Sequence, residues 1–248
     1  LPRAYTPVDP PWTHDPPANA AGTLAGWSPG IGLDEVGRDQ AARLAERLAA
    51  LPVCRVVASP LQRTLETAAP LAAAWGLEVV QDEGVGECRY GAWTGRPLKD
   101  LAQEELWKVI QRAPSAAVFP AGDDYPHESL AAMSARAVET VRRADADVLA
   151  AYGPTAVWAA VSHGDVIKAI VADALGMHLD QFQRIVVDPA SVSVIRYPVG
   201  QAMVLGVNGS GTDLEGIVPT RQEAQSDEGQ VGGGAGSGGG QPQGEDAP

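Results

Sequence analysis

The sequence predicts an α/β fold in which a sheet is covered by helices on both faces, and three observations carry that prediction. Residues 156–161 form an apolar run, Ala-Val-Trp-Ala-Ala-Val, that leads straight into Ser162-His163-Gly164 and then into the amphipathic stretch Val166-Ile167-Lys168-Ala169-Ile170-Val171. Such a pattern describes a doubly buried strand, a tight turn permitted by Gly164, and a helix. Earlier in the chain, short β-rich runs alternate with stretches of helical periodicity, which calls for helices packed on a sheet. Finally, two β-rich runs at 191–197 and 202–208 flank a Pro198–Gly200 turn and read as a closing pair of strands.

Taken in order, residues 1–20 contain Pro2, Pro7, Pro10, Pro11, Pro16 and Pro17. Proline at that density rules out a helix and disfavours a central strand, so the segment reads as extended and poorly ordered. A Gly/Pro-bearing loop with Trp27 follows, and Asp34 reads as the N-cap of a helix carrying Val36, Ala41, Leu44, Ala45, Leu48 and Leu51 until Pro52 stops it. Val53 to Ala58 is a short strand. Ser59-Pro60 signals a helix start, Ser as N-cap and Pro at N1, with Leu61, Leu65, Ala68 and Leu71 facing inward and an end near Trp75-Gly76. Residues 77–81 read as a strand, 84–95 as a Gly-rich loop, 98–111 as a helix, 114–126 as irregular, 128–151 as a long helix and 179–185 as a short helical piece. One domain over 21–208 results, followed by a Gly-rich acidic tail over 209–248 that cannot bury enough apolar surface to order itself.

Composition narrows the function classes. A formal net charge of −13 argues against a nucleic-acid partner, because phosphate backbones require a basic stripe. No apolar run is long enough to span a membrane, and the first residues lack the apolar region of a signal peptide. Cys54 and Cys88 have no metal-ligand spacing and read as reduced thiols, which suits a cytoplasmic location.

Three residues stand where phosphate chemistry would want them. His163 follows a strand at a helix N-terminus, whose free N–H groups favour an anion. Arg63 lies in the first turn of another helix, where guanidinium and helical N–H groups can fork phosphate oxygens. Glu87 sits in a Gly-rich loop with Tyr90 and Trp93, where burial would raise its pKa and suit it to proton donation. Each also has an ordinary reading: a packed turn histidine, a surface ion-paired arginine, a solvated loop carboxylate.

The order Ser-Pro-Leu-Gln-Arg-Thr-Leu-Glu-Thr-Ala (59–68), Gly-Glu-Cys-Arg-Tyr-Gly-Ala-Trp-Thr-Gly (86–95) and Val-Ser-His-Gly-Asp (161–165) resembles the histidine phosphatase superfamily, also called phosphoglycerate mutase-like. Residues 176–184 and 188–197 resemble a branch of phosphomutases or phosphatases within it. The resemblance implies a three-layer sandwich with a mostly parallel sheet, and a phosphomonoester hydrolase or phosphomutase working through a phosphohistidine without metal or cofactor. A small phosphorylated metabolite would be its substrate. By that resemblance Glu87 corresponds to the general acid, Arg63 to a phosphate-clamp arginine, and His163 with Gly164 to the second, non-nucleophilic histidine turn. Asn19 corresponds to the asparagine closing the first motif, and Asp165 takes a place where many relatives have Gly, so it would narrow substrate choice.

One departure matters. The family's first motif is an apolar strand ending Arg-His-Gly that supplies the nucleophile, and this chain has no Arg-His-Gly. Pro10-Pro11-Trp12-Thr13-His14-Asp15-Pro16-Pro17-Ala18-Asn19 stands in its place, leaving His14 as a substitute nucleophile or a bystander. The implied central first strand is then missing, and its loss would strip backbone partners from two neighbours. Family-like sequence begins abruptly near Ala18, which suggests a shifted gene start or reading frame. The alternative to an active enzyme is an impaired, anion-binding pseudo-phosphatase.

Overall fold

The computed structural model describes residues 22–198 and 201–210. His14, Asn19 and the segments 1–20 and 211–248 lie outside the described residues, as does the place where the first strand is expected. Helix α1 (Glu35–Leu48) opens as the sequence predicts, with the Asp34 carboxylate accepting from Gly37 N at 2.7 Å. Strand β1 (Val53–Ala58) then leads to α2 (Gln62–Trp75) and β2 (Val79–Gln81). The start expected at Ser59-Pro60 is corrected. Leu61 is the N-cap and has no side-chain cap bond, because Ser59 N still pairs with Val161 O at 3.0 Å and its hydroxyl is held by His163. Gly76 closes the helix in the left-handed conformation at φ 66.

The helix expected over 98–111 divides into α3 (Leu98–Leu101) and α4 (Glu105–Arg112). Glu104 accounts for the break: its carboxylate accepts from Trp93 Nε1 at 2.9 Å and from Arg96 at 2.7 Å, anchoring the intervening turn to the neighbouring loop. The long helix α5 (Leu130–Tyr152) is capped by the Ser129 hydroxyl accepting from Ala132 N at 3.0 Å. Strand β3 (Val157–Val161), helix α6 (Gly164–Ala174), a 3-10 turn at Leu179–Arg184, and strands β4 (Val192–Arg196) and β5 (Met203–Gly209) complete the fold.

The main sheet is parallel in the order β2-β1-β3, with Val56 opposite Val79 on one side and Ala159 on the other. Alternation along β1 builds the two outer layers: Val56 and Ala58 pack on Ala68 and Ala72 of α2, whereas Val57 joins Met133, Ala137 and Val166 of α5 and α6. Among the described residues, strands β4 and β5 form an antiparallel pair of their own. Cys54 is half-buried and Cys88 buried, and both are free thiols. No helix among the described residues is long and apolar enough to cross a membrane.

Candidate active site

Parallel strands deliver their carboxyl ends to one edge of the sheet, and the site lies there. Strand β1 runs out into Ser59 and β3 into Ser162-His163, while α2 and α6 start just beyond them. Only Ser162 and His163 join β3 to α6, so the expected tight turn forms; Gly164 is the first residue of α6, adopts no positive φ, and leaves open space where a Cβ would stand. It lines, with Arg63, Thr67, Glu87, Ser162 and His163, a cavity of about 220 Å³.

His163 and Arg63 are both buried. Arg63 Nη2 lies 3.1 Å from Gly26 O, 3.2 Å from His163 Nδ1 and 3.5 Å from Glu87 Oε2. Guanidinium can only donate, so Nδ1 accepts and the ring proton is on Nε2, which donates to Ser59 Oγ at 2.8 Å. A neutral ring is what this environment favours: burial first, then Arg63 and Arg136, hold the His163 pKa well below its ordinary value. Arg63 Nη1 is buried and has no hydrogen-bond partner among the described residues. Leaving a charged donor unpaired is costly, and an entering anion would remove that cost.

Glu87 approaches from the loop. Its Oε1 accepts from Cys88 N at 2.9 Å and from the Tyr90 hydroxyl at 3.3 Å, and its Oε2 is 3.5 Å from His163 Nδ1. Burial, assisted by the Asp165 carboxylate, pushes its pKa up, against the pull of Arg63. With the His163 pKa held down, the imidazole side of the Glu87–His163 contact favours the neutral form.

The loop that carries Glu87 is held by a residue the sequence reading passed over. Arg136, on α5, donates to the carbonyls of Gly84, Gly86 and Glu87 at 2.9 Å each and to Glu83 O at 3.2 Å. It also forks Glu128, Nε to Oε2 at 3.0 Å and Nη2 to Oε1 at 2.6 Å. Glu128, in the Glu-Ser step before the long helix, in turn accepts from Arg89 N at 2.9 Å. Trp27 Nε1 donates to Glu87 O at 2.7 Å, Ser162 Oγ donates to Val85 O at 2.7 Å, and Arg89 stacks over Trp27 at 5.4 Å. The sequence marks neither Ser59, read there as an N-cap, nor Ser162 as a site residue; only their positions just past strand ends could have flagged them. Opposite the loop, Asp188 and Asn208 clasp each other through two 2.7 Å bonds and steady the 188–191 wall of the cavity. His178 caps the 3-10 turn by accepting from Asp180 N at 3.3 Å, and it does not line this cavity.

Comparison with known proteins places this geometry. The family described as histidine phosphatase superfamily (branch 1) matches residues 14–209. Phosphoserine phosphatase 1 of Hydrogenobacter thermophilus is 30% identical over 181 residues, covering 71% of this chain and 80% of the relative. A bifunctional protein of Mycobacterium tuberculosis is 31% identical over 182 residues, covering 73% of this chain, which spans about half (48%) of that relative's length. Among solved structures, YhfR of Bacillus stearothermophilus superposes with a TM-score of 0.69 at 25% identity, covering 80% of this chain and 94% of that one.

Proposed function

The chain belongs to branch 1 of the histidine phosphatase superfamily, and from that premise we propose that it transfers the phosphoryl group of a small phosphorylated metabolite, hydrolysing the ester or passing the group on, through a phosphohistidine. The observation that carries this reading is the convergence on one cavity of Arg63 Nη1, buried and unpartnered among the described residues, with His163, whose pKa is held down, and Glu87, whose pKa is pushed up. In this reading Arg63, His163 and the α6 N-terminus at Gly164 neutralise the transferring oxygens, and Glu87 protonates the leaving alkoxide. Asn19 would complete the phosphate pocket. His14 is the candidate nucleophile, and it is also the residue at which the family match begins. Two free thiols suit a cytoplasmic enzyme.

A second reading has its own support. His163 is the one histidine lining the cavity among the described residues, and both its ring nitrogens are engaged by Arg63 and Ser59. A phosphate-binding protein without turnover would look the same. The two are separated by incubating the protein with p-nitrophenyl phosphate while following its melting temperature with orthovanadate. Turnover, with an acid-labile, base-stable phosphoenzyme that is lost in His14→Ala, establishes the transferase reading. A vanadate-dependent rise in Tm without turnover leaves the binding protein. No shift and no turnover, matched by an unchanged Arg63→Ala variant, removes both.

A further inference from the structure

Among the described residues, the positive-φ positions outside glycine are Ala190, at φ 56, and Asn208, at φ 58. Backbone of that kind is costly for a residue with a Cβ and persists only where its neighbours hold it in place. Both residues belong to one small structure. Asp188-Pro189-Ala190-Ser191 is a turn closed by Ser191 N donating to Asp188 O at 3.2 Å. Proline is at home in its second position, but the third, with its positive φ, is ordinarily left to Gly or Asn. Asn208 lies on β5, whose pairing with β4 shifts register between Val192 and Val194, and an irregular ladder re-aims a side chain. Here the amide of Asn208 meets Asp188: its Oδ1 accepts from Asp188 N and its Nδ2 donates to Asp188 Oδ2, each at 2.7 Å.

What the clasp holds in place is a carboxylate on the wall of the phosphate-site cavity, which every residue from Val187 to Ser191 lines. Asn208 engages Asp188 Oδ2, and Oδ1 has no hydrogen-bond partner among the described residues. The described lining thus carries one guanidinium, Arg63, and two carboxyl groups, Glu87 and Asp188. Arg63 and Glu87 both lie against His163, whereas Asp188 belongs to the turn, beside the apolar side chains of Leu33, Ile167 and Val187. Asp165, which the sequence marked as a residue that would narrow substrate choice, pairs with Lys168 at 3.3 Å and does not line this cavity.

We propose that Asp188 is a specificity-determining residue that selects phosphomonoesters of amino alcohols: its carboxylate takes the ammonium group of the alcohol and disfavours esters whose alcohol carries a carboxylate. The inference rests on the proposed function for seating the phosphate at Arg63, His163 and the α6 N-terminus. With the phosphate there, the short alkyl stem meets Leu33, Ile167 and Val187, and the charged end meets the turn. An ammonium group gains a charge-assisted bond, whereas a carboxylate brings like charges together. Clasping Asp188 in advance lowers the ordering cost of binding. Asp188 is exposed, so solvent screens each interaction. A comparison of esters of opposite charge adds the attraction of one to the repulsion of the other.

The test uses the full chain with O-phosphoethanolamine and 3-phosphoglycerate, following consumption of each ester and, at equal concentrations, the melting temperature. In dilute salt kcat/KM is expected to favour O-phosphoethanolamine by at least about ten-fold. In Asp188→Asn, whose amide can still accept from Asn208 Nδ2, that preference is expected to fall at least about three-fold. A ratio taken on one protein cancels any general loss of folding or catalysis, so a merely structural role for Asp188 would leave it unmoved. If Asp188→Asn does not fold, the unaltered chain decides: its preference should narrow at least about two-fold between about 0.02 M and about 0.5 M salt. Equal efficiency with both esters, a preference for 3-phosphoglycerate, or a preference that neither the variant nor salt changes overturns the role of Asp188 and leaves phosphoryl transfer standing. No consumption, but a Tm rise that is larger with O-phosphoethanolamine and shrinks in Asp188→Asn, keeps the selectivity and removes the transfer. No consumption with equal Tm rises, or with none, overturns both.

Discussion

Removing the Arg136 guanidinium tests whether one side chain on α5 holds the Glu87 loop. In Arg136→Met the stem is retained, but four hydrogen bonds to the carbonyls of Glu83, Gly84, Gly86 and Glu87 are lost together with the fork to Glu128. The pair is well shielded, at 17% and 8% side-chain exposure, so solvent discounts it little. Breaking such a pair from one side costs about 3–5 kcal/mol, chiefly because the remaining carboxylate is left buried without its partner. For a domain of this size that is a fall in Tm of about 7–13 °C. Urea unfolding followed by tryptophan fluorescence measures it, and Trp27, which donates to Glu87 O, reports on the loop itself. A double variant, Arg136→Met with Glu128→Met, removes the stranded charge and should recover part of the loss, a non-additivity that a cycle resolves. A fall below about 1 kcal/mol in the single variant, or strict additivity in the double, would refute the claim that Arg136 organises the loop.

Other outcomes follow from the same geometry. Glu87 has a raised pKa in the folded chain, so the folded state binds more protons than the unfolded one above the ordinary carboxylate range, and stability falls as pH rises through that window. Glu87→Gln should therefore be the more stable protein at pH 8 and lose its advantage near pH 4, as measured by urea midpoints; no trend would mean a solvated carboxylate, and the opposite trend one held ionised by Arg63. His163 has the reverse sign: its pKa is depressed, so its contribution is complete above about 6.5 and is lost as pH falls below that value. His163→Asn should flatten the stability profile between pH 7 and pH 5, and an unchanged slope there would contradict a buried neutral ring. Gly91 has φ +53, and a Cβ there would meet the Pro120 carbonyl and His127. Gly91→Ala should cost about 2 kcal/mol or more by thermal melting, whereas Gly164→Ala, where nothing stands within 4 Å, should leave the fold intact.

Local pattern carried much of this protein. The apolar run before His163 specified a strand, Asp34 specified a helix start, and three separated motifs in order carried the family resemblance, because caps, periodicity and turn residues act over a few residues of chain. What the tertiary structure alone decided is what happens between segments. Ser59 reads as an N-cap in sequence, but ladder pairing to Val161 and the bond to His163 outbid that role. The single helix expected over 98–111 broke where Glu104 was drawn to Trp93 and Arg96. Arg136 lies 49 residues from Glu87 and carries no local signal of its task. The directions in which the Glu87 and His163 pKa values move depend on burial by residues from several elements. Propensity is a property of neighbours along the chain, whereas desolvation and convergence belong to neighbours in space.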